Sequence, residues 1–191
     1  REGGTLEMAQ LWVNLRARDK NALAGYQTLL NRDIPSMPLP EDAGLVRGIA
    51  GTYAGHAGPA RTFSPMDVWD VRTRAGRTAT LDLPRDRTVA VILLRGNVAI
   101  DGGDTLRDGQ LVLLDRGEGG VVLTASAETT LLVLSGEPID EPVVAYGPFV
   151  MNTVEEIQQA QRDFASGRFG RIAVMSTIPN KHVIPPKKAR R

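Results

Sequence analysis

From Thr88 to Leu134 the apolar residues come in short runs separated by Gly-rich or Asp-rich breaks: Val89 to Leu94, Val98 to Ile100, Leu111 to Leu114, Val121 to Leu123 and Thr130 to Leu134. Runs this short, with no segment of helical period between them, predict an antiparallel β-sandwich or barrel. Upstream, Leu45 to Ile49, Val68 to Val71 and Thr78 to Leu83 predict further strands. Leu6 to Leu15 alternates well enough to predict another. Gly96-Asn97 reads as a turn, and Asp101-Gly102-Gly103-Asp104 and Arg116-Gly117-Glu118-Gly119-Gly120 read as hairpin turns.

Two stretches break the β pattern. Arg16 to Pro40 contains Pro35, Pro38 and Pro40, which fix φ and remove backbone donors, so it reads as a connector without regular structure. Thr153-Val154-Glu155-Glu156 has the spacing of a capping box, and Val154, Ile157, Ala160 or Gln161, and Phe164 then recur on one helical face before Gly167. A single helix with an apolar side is therefore predicted near the end of the chain. Beyond it, Pro185-Pro186-Lys187-Lys188-Ala189-Arg190-Arg191 is too polar to pack and reads as a disordered tail.

Composition narrows the chemistry more than the fold. The 191 residues include no cysteine, which removes thiolate zinc sites, iron–sulfur clusters, thiol catalysis and disulfides, and fits a reducing, cytoplasmic setting. No apolar run approaches the roughly 20 residues of a membrane helix. The net charge of +1 is unevenly spread. Residues 171–191 hold six basic residues and no acid, whereas residues 1–170 carry 17 basic and 22 acidic. A body of that sign has no electrostatic footprint for nucleic acid.

The candidate catalytic groups do not assemble into a motif. His56 lies in a Gly-rich loop and His182 in the tail, and a protein-held zinc or iron usually takes two or three imidazoles with a carboxylate. Ser64, Ser126, Ser135, Ser166 and Ser176 include no G-x-S-x-G nucleophile. Asp67 with Asp70, and Glu137 with Glu141, are the possible carboxylate pairs, and they read more simply as surface groups or caps. The acids in the Gly-rich turns would repel phosphate. On these grounds the chain offers no catalytic, cofactor-binding or metal-binding residue of its own.

Several segments nonetheless occur together in a characteristic order. They are Leu11-Trp12-Val13-Asn14-Leu15; Gly55 to Ala60 followed by Ser64-Pro65-Met66; Gly136-Glu137-Pro138-Ile139 with Glu141-Pro142; and Tyr146-Gly147-Pro148-Phe149-Val150-Met151-Asn152-Thr153 leading to Glu155-Glu156-Ile157 and Gly167-Arg168-Phe169-Gly170. In this succession, from Gln10 to Gly170, the chain resembles the pirin family, whose members are bicupins with two facing β-barrel domains.

The resemblance implies an all-β, cupin-type antiparallel barrel or jelly roll, the C-terminal half of a bicupin, with one C-terminal α-helix. Residues 1–40 would hold a remnant of the first cupin, strand 6–15, and the Pro-rich connector. Residues 41–145 would form the second barrel, 146–170 an arm and helix packing on the first domain, and 171–191 a basic tail. The family's metal ligands, three His and one Glu in H-x-H and H-x-E elements of the first cupin, match no position of this sequence. Iron or another divalent metal is therefore expected in that first cupin, outside this chain. The implied activity of the complete protein is quercetin 2,3-dioxygenase-type chemistry. The alternatives are a non-enzymatic regulator binding transcription factors or metabolic enzymes, and an inactive pirin half. The implied partner is the first cupin, or another chain, covering an apolar face of Phe149, Met151, Ile157 and Phe164.

Overall fold

A computed structural model describes residues 3–4, 6–84, 86–116 and 120–170. The chain divides into two compact units, Arg1–Glu141 and Pro142–Arg191. The predicted tail, with His182, lies outside the described residues.

The first unit contains strands β1 (Ser36–Pro38), β2 (Gly44–Ala50), β3 (Thr52–Tyr53), β4 (His56–Ala57), β5 (Met66–Thr73), β6 (Arg77–Leu81), β7 (Thr88–Arg95), β8 (Asn97–Ile100), β9 (Thr105–Arg107), β10 (Leu111–Leu114), β11 (Val121–Ala125) and β12 (Thr129–Gly136). A six-stranded sheet has the order β1-β2-β5-β12-β7-β10 and a four-stranded sheet the order β6-β11-β8-β9, while β3 and β4 form a small hairpin. Every pairing is antiparallel. This is the all-β architecture that the short apolar runs predict.

Alternation fixes which side chains enter the core. On β5, Trp69 and Val71 are buried, as are Val91 and Leu93 on β7 and Leu131 and Val133 on β12. They cluster with Leu81, Val98, Val121 and Leu123 of the four-stranded sheet. The Tyr53 ring meets Trp69 edge-on at 5.0 Å between centroids and 72° between planes. An edge-to-face pair of this kind adds about 1 kcal/mol beyond the area it buries.

The connections between strands show which turns join paired strands and which cross between sheets. The turn expected at Gly96-Asn97 is a corner: β7 and β8, on either side of Gly96, belong to different sheets. The φ of Gly96 is +98°, and a Cβ there would lie 2.6 Å from the Thr129 hydroxyl and closer still to the Glu128 carbonyl. β10 and β11 also lie in different sheets and do not pair, so the hairpin expected at Arg116 to Gly120 is not formed; residues 117–119 lie outside the described residues. Asp101 to Asp104 does join the paired strands β8 and β9.

Arg16 to Pro40 is less irregular than its prolines suggest. Ala17–Asp19 and Asn31–Asp33 form 3₁₀ turns. Ser36–Pro38 pairs with Arg47 to Leu45 of β2. β1 is the edge strand, and an edge position accepts a proline whose missing N–H would have pointed to solvent.

The predicted strand over Leu6–Leu15 does not form. A strand needs a neighbour's edge to hydrogen-bond to, and alternation alone supplies none. Leu6, Met8, Leu11, Trp12 and Val13 are all exposed.

The second unit is a hairpin and a helix: β13 (Val144–Tyr146), β14 (Phe149–Met151) and α1 (Val154–Ala165). The hairpin pairs Val144 with Met151 and Tyr146 with Phe149, so this unit begins before Tyr146. The capping box is present: the Glu156 N–H donates to the Thr153 hydroxyl (3.2 Å) and the Thr153 N–H to the Glu156 carboxylate (2.9 Å). Helix α1 packs on the hairpin. Of the four residues expected to form an exposed apolar face, Ile157 is buried and Phe149 and Met151 are half-buried, which leaves Phe164 exposed. Phe164, Phe149 and Phe169 form a triangle with ring centroids 6.1–6.3 Å apart.

Candidate functional site

Concave, chemically mixed surface in the first unit gathers where segment 7–17 crosses the outer face of the six-stranded sheet. Residues one position off the core register on β5, β7 and β12 face outward, and Val68, Ala90 and Leu134 form one cross-strand row there. Leu11, Trp12 and Val13 join this row in lining a groove of about 440 Å³. Polar anchors hold the segment in place. Glu7 pairs with Arg95 (2.5 Å), Arg16 with Glu137 (3.0 Å), Lys20 donates to the Asn14 side-chain Oδ1 (2.7 Å), and the Ala17 N–H donates to Glu141 (2.6 Å).

At one end of the groove stand Asp67 and Ser135, directly opposite one another on β5 and β12. Asp67 is 5% exposed, and both of its oxygens are engaged. One accepts from the Thr52 N–H (3.1 Å) and the other from the Arg87 guanidinium (2.8 Å). The chain packs closely around this carboxylate: Gly51 has φ +75°, and a Cβ there would collide with the Asp67 side chain. The Ser135 hydroxyl is buried and has no hydrogen-bond partner among the described residues. Burial also pushes the Tyr53 phenol above its ordinary pKa.

The carboxylate pairs are structural, but not as surface groups. Asp67 and Asp70 are three residues apart on one strand and so point to opposite faces. Both are buried, and Asp70 accepts from Arg47 (2.7 Å) and Arg72 (3.1 Å). Burial with a matched guanidinium replaces the surface role expected from sequence, because a central strand leaves an acid no route to water. Glu137 and Glu141 are tied to the N-terminal segment, and Glu141 receives the first N–H of the 3₁₀ turn at Ala17 as a cap. His56 is exposed on β4, its Nδ1 2.9 Å from the Ala54 carbonyl. Sequence reasoning passed over Arg87, since nothing local marks it as the partner of an acid 20 residues earlier.

What the arrangement can do follows from its donor set. The groove can take up apolar surface or a flat ring against Trp12, with Ser135 at its end. It presents no imidazole or thiolate to a ligand. Among the described residues no group of three His, Cys, Asp or Glu could hold a metal ion.

Two antiparallel sheets enclosing an aliphatic core, followed by a hairpin and one helix, define a cupin domain. Residues 68–170 match the family described as the pirin C-terminal cupin domain. The chain belongs to the pirin family. It is 54% identical over 167 residues to the Pseudomonas aeruginosa protein named "Putative quercetin 2,3-dioxygenase PA2418", covering 87% of this chain and 58% of that one. It is 33% identical to human pirin, covering 84% of this chain and 56% of the relative. A solved quercetin 2,3-dioxygenase from Acinetobacter baumannii superposes with a TM-score of 0.80 at 41% identity, over 84% of this chain and 56% of that structure. The chain thus spans under two thirds of the length of these relatives. The metal that the family implies does not fit the described residues: His56 is a lone exposed imidazole, and the buried acids are already neutralised by guanidinium groups.

Proposed function

We propose that this chain is the ligand-poor second cupin of a bicupin, and that the complete protein carries quercetin 2,3-dioxygenase-type activity on a flavonol. Its metal, iron or another divalent ion, is held by a first cupin domain outside this sequence. The similarity to the solved Acinetobacter dioxygenase, 41% identical over 84% of this chain, carries the reading. The donor set agrees with it, because the aspartates that could have served as ligands are spent on Arg87, Arg47 and Arg72. In this reading the second cupin contributes surfaces. Segment 7–17 with its groove continues from the first domain, and the exposed rings of Phe164 and Phe169 are covered by it.

The test compares quercetin consumption and metal content for the 191-residue chain and for the protein extended upstream through the first cupin. Turnover and stoichiometric metal are expected only in the extended protein. Metal-dependent turnover by the 191-residue chain would overturn the assignment.

A further inference from the structure

The inward face of the six-stranded sheet turns polar at one end. Trp69 and Val71 on β5 and Val133 on β12 belong to the core, and Asp67 and Ser135 continue those inward rows, directly opposite one another. A cavity of about 300 Å³ opens against Asp67, lined by Thr52, Thr62, Pro65, Met66, Pro84 and Arg87. Further in, Gly48 is buried directly opposite Trp69, on the same row of β2 as Val46. No heavy atom lies within 4 Å of a Cβ built on Gly48. Protein interiors leave few such spaces.

The polar groups around this space are unequal in kind. The Asp67 carboxylate has both oxygens taken, one by the Thr52 N–H and the other by Arg87. Donors are in surplus. Arg87, its side chain 17% exposed, gives one of its N–H groups to Asp67, and the other four have no partner among the described residues. The Trp69 indole N–H and the Ser135 hydroxyl are buried and also lack a partner among the described residues. Guanidinium and indole can only donate, and a buried donor left unpaired carries a desolvation cost that an incoming acceptor removes.

We propose that this space is a ligand site for a small aromatic carboxylate, whose oxygens accept from Arg87 and from the inward donors while its ring lies against Pro65, Met66 and Pro84. A carboxylate suits the donor set better than a neutral carbonyl, because it offers two oxygens to the guanidinium fork and charge-assisted bonds are about twice as strong. Asp67 fixes the guanidinium from the opposite side. The site uses only residues of this chain and is independent of the flavonol reading.

Benzoate is the probe, added to the ¹⁵N-labelled 191-residue chain while its two indole N–H resonances are followed. The Trp69 resonance is expected to move and saturate with a dissociation constant of about 1 mM, and that of exposed Trp12 to stay in place. Benzamide, which replaces one acceptor with donors, should bind about 10-fold more weakly. Gly48→Val fills the open space and should weaken benzoate by about 10-fold or more with no loss of thermal stability. Ser135→Ala removes a hydroxyl that has no partner, so it should leave the melting temperature unchanged and weaken benzoate about 5-fold. Arg87→Lys keeps a charge for Asp67 but loses the fork, for about a 10-fold loss; if it fails to fold, Gly48→Val and Ser135→Ala decide. A Trp69 resonance unmoved at about ten times the expected dissociation constant would overturn the proposal. So would equal affinity for benzamide, movement of Trp12 in place of Trp69, or a Trp69 shift undiminished in Gly48→Val and Ser135→Ala.

Discussion

Segment 7–17 and strand β5 have similar patterns of alternating apolar residues and opposite fates. β5 lies between β2 and β12, paired on both sides, and its inward residues Trp69 and Val71 sit in the core. The N-terminal segment lies over a sheet face, held by side-chain anchors and one capping N–H, and has no ladder. Each region holds one of the two tryptophans: Trp69 is 1% exposed and Trp12 is 75% exposed. Alternation makes a segment able to pair, and burial follows only where an edge and an opposing layer are both supplied.

The difference can be put to experiment, most strongly at the two tryptophans. Trp69→Ala empties the centre of the core and should cost about 3–5 kcal/mol in urea unfolding. Trp12→Ala should cost under about 0.5 kcal/mol. Emission from Trp69, isolated in a Trp12→Phe variant, should be blue-shifted and resist acrylamide. Trp12 emission should be red-shifted and quenched. Equal quenching of the two would break the contrast.

The next effect is at Asp67. Removing it strands the largely buried Arg87 guanidinium without its carboxylate, and Asp67→Ala should cost about 3 kcal/mol, measured by the same unfolding curves. The double variant Asp67→Ala with Arg87→Met should recover part of that loss. A milder loss, about 1 kcal/mol, is expected for Thr153→Ala, which removes the acceptor for the Glu156 N–H. Its readout is helical circular dichroism near the second unit's melting transition.

The smallest effect is a dependence on alkaline pH. Because burial raises the Tyr53 pKa, the folded state holds that proton more tightly than the unfolded chain does. Its contribution is fully present below about pH 10, the ordinary phenol value, and is lost as pH rises through the folded-state pKa. Tyr53→Phe should flatten the fall in melting temperature above pH 10, and an unchanged slope would show that the phenol ionises freely.

Much of the sandwich is legible in the order of residues. β2, β5, β6, β7, β8, β10, β11 and β12 fall where the apolar runs predict them, because each run supplies the inward-facing apolar residues that a strand of a two-layer sheet buries. The helix is equally legible, since a capping box acts across three residues and needs no distant partner. The site was less so. Asp67 looked like a surface acid because the sequence does not show that β5 is flanked on both sides, nor that Arg87 comes back to meet it.

The sequence by itself determined the β period, the positions of breaks, the helix and the lack of a ligand set in H-x-H and H-x-E form, because these depend on neighbours within a few residues. Tertiary structure alone decided that Gly96 turns a corner between sheets, that Pro38 is tolerated at an edge, that Leu6 to Leu15 forms no strand and that β10 is an edge strand. Each of these depends on what lies across a hydrogen-bonding edge or an opposing face, and the chain brings those partners in from tens of residues away.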